Sequence, residues 1–116
     1  MKILFGTSED KKDIVRATNA VIGAQDLVNQ PIILTGAWGY EKADEKGEPV
    51  TVTALKVKQE NGEEVFCSSI SKTVADSIDT ILEIYEDGEI QNGGVPIIIK
   101  SKKSKAGRDF YYIDLR

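Results

Sequence analysis

Apolar residues recur along this chain with two different periods, and the changes of period mark its elements. From Pro31 the pattern is extended: Ile32, Ile33, Leu34 and Thr35 lead into Gly36, Ala37, Trp38, Gly39 and Tyr40, a strand whose two glycines predict a bend or bulge. A polar turn, EKADEKGE, separates it from Val50–Val57 (VTVTALKV), a β-branched run that reads as a second strand. Asn61-Gly62 is the strongest short hairpin signal, so a third strand over Val65–Ile70 should pair with the second. The period then lengthens to nearly four. Val74, Ile78, Ile81, Leu82 and Tyr85 fall on one helical face, with Ser71 or Thr73 as cap and Gly88 or Gly93-Gly94 as terminator. Val95–Lys100 resumes extended structure ahead of a basic turn and a last strand. Upstream, Ile14, Ala17 and Val21 at helical spacing predict a short amphipathic helix across Glu9–Ile22.

The resulting order, β-β-β-α-β-β, predicts a mainly β fold: a five-stranded OB-fold barrel over residues 31–116, with one helix between strands 3 and 4. Residues 1–30 form a partly helical N-terminal extension of the same single domain. At 116 residues with 41% hydrophobic and 29% charged positions, the chain can bury one core. No apolar run approaches the ~20 residues that cross a bilayer, and the run in MKILFG stops before Ser8, Glu9 and Asp10, which argues against a signal peptide. Lone Cys67, between Phe66 and Ser68, reads as a packed thiol of a reducing compartment, so a cytoplasmic location is expected.

The absence of histidine removes Ser-His and Cys-His nucleophiles and the common zinc sites. The acidic clusters Asp44, Glu45, Glu48 and Glu83, Glu86, Asp87, Glu89 match no calcium loop and read as solvated turns; nucleotide-binding glycine motifs are missing as well. No catalytic residue, metal or cofactor is expected. A carboxylate-metal nuclease is the weakest of three function classes. The informative stretch is IIIKSKKSKAGRDFYYIDLR, where Lys100, Lys102, Lys103, Lys105 and Arg108 precede Phe110, Tyr111 and Tyr112. Without those five cations the remaining 10 basic and 19 acidic residues carry −9, so charge is segregated on a chain whose net charge is −4. Cations beside flat rings suit a polyanion of stackable bases, the phosphates meeting the charges and the bases the rings.

Three segments carry a family resemblance: SSISKTVADSIDTILEIY, VIGAQDLVNQPIILTGA with VTVTALKVKQENGEEVFCSSIS, and VPIIIKSKKSKAGRDFYYIDL. In order and spacing they resemble the small single-stranded DNA-binding proteins of tailed phages, including the protein-primed replication group. The closest features are Ile70-Ser71-Lys72 running directly into an amphipathic helix and a basic turn at Lys105-Ala106-Gly107-Arg108. The resemblance implies an OB-fold that coats single-stranded DNA during phage replication or recombination, in the host cytoplasm, without catalysis. Replication or recombination proteins are the implied protein partners. Cys67 stands where such sequences often carry an aromatic, Met1–Asp13 is an extension that does not align, and the chain lacks a long acidic tail.

Strand parity assigns the remaining roles. In the last strand Tyr111, Ile113 and Leu115 form one set, expected in the core, and Phe110, Tyr112 and Asp114 the other, which puts Phe110 and Tyr112 on the outer face beside Arg108. Trp38 and Tyr40 share a strand face where Gly36 and Gly39 leave room for a base; Trp38 reads equally as core, and Tyr40 as the more exposed. Phe66 and Tyr85 read as core. Lys56 and Lys58 point away from Val57 toward the same groove, and Lys72 at the helix start is placed for a phosphate. The DNA-binding set is therefore Trp38, Tyr40, Lys56, Lys58, Lys72, Lys100, Lys102, Lys103, Lys105, Arg108, Phe110 and Tyr112. RNA is a variant ligand, a monomer or weak dimer is expected, and a non-catalytic OB-type protein-interaction module is the competing reading.

Overall fold

A computed structural model describes residues 1–116, which form seven strands and three helices. The chain runs β1 (Lys2–Gly6), α1 (Lys11–Thr18), β2 (Ile22–Gly23), a 3-10 turn (Ala24–Leu27), β3 (Pro31–Ala43), β4 (Pro49–Lys58), β5 (Glu64–Ser69), α2 (Lys72–Ile84), α3 (Asp87–Asn92), β6 (Val95–Lys103) and β7 (Asp109–Leu115). The five expected strands are β3–β7, each within a few residues of its predicted bounds. The expected five-stranded sheet is enlarged to seven strands by β1 and β2, and the single internal helix is two, since Tyr85 leaves helical geometry at the end of α2 and Glu86 starts α3. The predicted helix across Glu9–Ile22 is only α1: its Asp10 cap accepts from the amides of Lys12 and Asp13, and Ile22 lies instead in β2. No helix is long and apolar enough to cross a membrane.

All strands belong to one curled, mixed sheet in the order β2-β5-β4-β3-β6-β7, with β1 added to the far half of β3. Thirteen-residue β3 organises it: Pro31–Leu34 pair with β6, Ile33–Ala43 with β4 and Trp38–Glu41 with β1. A bulge between Leu34 and Gly36 switches the strand's parity. Before it Ile32 and Leu34 face the core; after it Ala37 faces the core while Trp38 and Tyr40 face the opposite side. The main core lies inside the curl, where Leu55, Val57, Cys67, Ile97, Ile99 and Ile113 meet Val74, Ile78 and Ile81 of α2. A smaller cluster lies on the outer side, where Trp38, Tyr40, Val52 and Ala54 are covered by Ala17 and Ile14 of α1.

The two ends of the sheet are closed by different devices. Parallel β2 pairs with β5 through Ile22 opposite Cys67 and Gly23 opposite Ser68. At the other end α2 covers the free edge of β7. The Thr73 hydroxyl donates to the Tyr111 carbonyl, and Ser77 Oγ accepts from the Ile113 amide at 3.1 Å. Such hydroxyls satisfy strand groups that would otherwise cost about 1–3 kcal/mol each when buried without a partner. Ser77→Ala is therefore expected to lower unfolding free energy by roughly 1–2 kcal/mol at an unchanged urea m-value. Stability equal to the parent would show that water replaces the bond.

Candidate nucleic-acid interface

The β6–β7 hairpin projects beyond β3, because β3 begins at Pro31 opposite Ile98 while β6 runs on to Lys103. Ser101–Asp109 are exposed throughout. On its outward side Tyr112 lies opposite Lys100 and Phe110 opposite Lys102, and the two rings sit side by side with centroids 6.4 Å apart and planes tilted by 39°. Both rings are half-buried, each with one side supported by the sheet. Lys100 donates to Asp114 at 3.1 Å. That bond, reinforced by the opposite charges, raises the Lys100 amine above its ordinary pKa and lowers the Asp114 carboxyl below its own. Both groups are solvated, so the pair orients side chains rather than stabilising the fold. Lys102, Lys103, Lys105 and Arg108 form no ion pair and remain free to meet an anion.

The other expected residues divide by which side of β3 and β4 they occupy and what covers them. Trp38 is 1% exposed. Its indole N–H donates to the Ser8 carbonyl at 3.0 Å, and its ring edge fills the space over Gly36. The room over Gly39 is taken by Phe5, whose ring a Cβ there would strike at 2.2 Å. Both glycines thus make space for the protein's own aromatics, and the expected close approach of a base at this strand gives way to packing. Tyr40, expected at the surface, is 3% exposed, and burial raises its phenol pKa above the ordinary value. Phe66 is half-buried on the same outer side, its ring 6.2 Å from Trp38, rather than in the main core.

Lys56 departs furthest from expectation. Its ammonium lies 3.3 Å from Asp13 on α1 and 3.5 Å from Glu64, and 6.0 Å from the centroid of Phe66, so its charge is already answered by the protein. Helix α1, expected from the sequence as a helix but with no packing partner assigned to it, covers the sheet face that Lys56 was expected to offer. Lys58 is exposed at the end of β4, opposite Glu64, and Lys72 is exposed at the first position of α2. Of the set expected in the core, Leu115 is 42% exposed, Ile113 is buried, and Tyr111 packs against the core at its margin. Tyr111 also shares an open cleft with Tyr40, a position that becomes visible only once the sheet's curl brings β7 around to the end of β5.

Against known proteins, a family model described as phage single-stranded DNA-binding protein matches residues 5–116. The chain belongs to this phi29-type phage family. No curated protein and no solved structure matches it.

Cys67, the lone thiol, is fully buried in the main core, on β5 next to β2. Burial, with the negative charge of Asp26 adding to it, pushes its pKa up to about 12. The unfolded thiol ionises near its ordinary value, so alkali above that value favours the unfolded chain, and stability falls as pH rises toward the folded pKa. At pH 8 the native thiol is expected to react with a disulfide reagent only at the rate of opening, and within seconds in denaturant. Immediate stoichiometric labelling of native protein would show that Cys67 is accessible.

Proposed function

We propose that this protein coats single-stranded DNA without catalysis, in phage DNA replication or recombination, using an OB-type barrel built from β3–β7. Family membership supplies the ligand class. The observation that carries the mechanism is the coincidence, on one exposed hairpin of an acidic chain, of four unpaired cations with two adjacent rings. Phosphates release condensed counterions at Lys102, Lys103, Lys105 and Arg108 while bases stack on Phe110 and Tyr112. Neither interaction reads a base edge, so binding tolerates any sequence. The surplus of carboxylates over the rest of the chain repels the backbone, which confines binding to the hairpin and the surfaces beside it. The OB-type reading is supported by the strand order β5-β4-β3-β6-β7 with the helices inserted between β5 and β6. Lys58 and Lys72 contribute peripheral phosphate contacts. RNA single strands present the same phosphates and rings, and competition between oligo-dT and oligo-U measures the preference.

The test is a titration with oligo-dT across salt concentrations. At about −0.7 per phosphate on single strands, the four hairpin cations give a slope of log K against log salt near −3, and the peripheral contacts of Lys58 and Lys72 steepen it toward about −4. A slope indistinguishable from zero would reject the mechanism. Tyr112→Ala is expected to weaken binding by roughly 1 kcal/mol or more, the lower end of one base stack, with the melting temperature preserved. Parental affinity in that variant would remove Tyr112 from the interface.

A further inference from the structure

Where α1 ends, a cleft of about 600 Å³ opens on the outer side of the sheet. Its floor is Tyr40, Lys42, Val52 and Ser68; one wall is the Thr18–Gly23 segment, and the other runs from Ile70 to Tyr111 of β7. The size lies within the range of small-molecule sites. On a chain with 19 acidic residues, none of the fourteen residues lining this cleft is acidic, and Lys42, exposed at its edge, has no ion-pair partner. Two large apolar side chains stand in solvent on its opposing walls: Val21 is 97% exposed and Ile70 72%. Neither has a folding role at that exposure. The floor between them carries the hydroxyls of Tyr40 and Ser68, with Ser69 and Ser71 beside them.

We infer that this cleft receives one unpaired nucleotide of a bound strand, its base held between Val21 and Ile70 above Tyr40 and its phosphate at Lys42. The inference rests on the single-strand reading and adds a second contact surface to it. The chemistry of the lining selects this occupant. An anion is favoured by a lone cation in a lining without carboxylates, the adjacent Asp26 being engaged by the Gly23 amide at 3.1 Å; a flat apolar face is favoured by the two exposed aliphatic jaws, and carbonyl or ring-nitrogen acceptors by the phenol and serine donors. The cleft also adjoins the hairpin. Tyr111 lines it from β7, between Phe110 and Tyr112, whose rings stand on the other side of the same strand. A strand stacked on the outward rings therefore reaches the cleft by crossing β7 on the hairpin side of Tyr111, beyond the part of the edge that α2 covers. Ile70 and Ser71 continue the wall toward a second, smaller depression of about 440 Å³ beside Lys72, which supplies the next cation along that path.

Two measurements on the full chain decide it. In amide NMR spectra, addition of dTMP and of oligo-dT is expected to shift resonances of residues 20–23, 40–42 and 68–71. Val21→Ser combined with Ile70→Ser is expected to weaken oligo-dT binding at least about fivefold, the low end of one base stack, with unchanged melting, since both side chains are solvent-exposed. Lys42→Ala should reduce the salt slope by about 0.7. Oligo-dT binding at parental strength in the variants, with those amides unmoved, overturns the cleft and leaves the hairpin reading standing. If the parent protein itself fails to bind oligo-dT at low salt, the hairpin reading falls and the cleft with it.

Discussion

The structure depends on how a curled sheet with two open ends satisfies its edges. β5 and β7 form no ladder with each other; β5 takes β2 on its open side, and β7 takes the hydroxyls of Thr73 and Ser77. Unpaired strand edges invite association with other chains, so each must be covered or kept short and charged. Here the covered part of β7 ends near Tyr111, and the remainder of the hairpin is the charged part. One constraint thereby divides the C-terminal hairpin into a structural half, packed through Ile97, Ile99 and Ile113, and a solvated half that carries Lys102 to Phe110.

Electrostatics follow the same division. The cation nearest the packed N-terminal segment, Lys56, is answered by Asp13 and Glu64, while those on the projecting hairpin beyond Lys100 have no carboxylate within ion-pairing distance. Lys100 sits at the boundary between the two halves and is tied to Asp114. A protein with net charge −4 binds a polyanion best where cations outnumber nearby carboxylates; on the hairpin tip Asp109 is outnumbered by Lys102, Lys103, Lys105 and Arg108, and the lining of the cleft beside Tyr40 includes Lys42 and no carboxylate. Aromatic placement separates in parallel: Trp38 and Phe66 hold α1 and β1 to the sheet, and Phe110 and Tyr112 stay at the surface.

Much of this was legible from residue order. Strand parity placed Phe110 and Tyr112 outward, Asn61-Gly62 fixed the β4–β5 hairpin, and the four-residue period located α2 with Ser71 as its cap. The failures share a physical origin. Short β1 and β2 have no periodicity of their own and exist only because β3 and β5 offer them backbone partners. The glycines of β3 announced close approach but not by what: Trp38 and Phe5 fill the space over Gly36 and Gly39. Lys56 alternates as a surface residue should, and only the tertiary placement of α1 reveals Asp13 beside it. Parity groups Leu115 with Ile113, whereas its place at the last position of β7 leaves it 42% exposed.

The central claim is that a single strand lies against β7. It is tested most directly by photo-cross-linking oligo-dT carrying bromodeoxyuridine, followed by tryptic mapping of the adducts. Cleavage after Arg108 isolates Asp109–Arg116, which contains Phe110, Tyr111 and Tyr112 and no other aromatic residue. The account predicts that this peptide carries a principal adduct, one that competing unlabelled oligo-dT abolishes. Efficient cross-linking elsewhere with this peptide unmodified would contradict it.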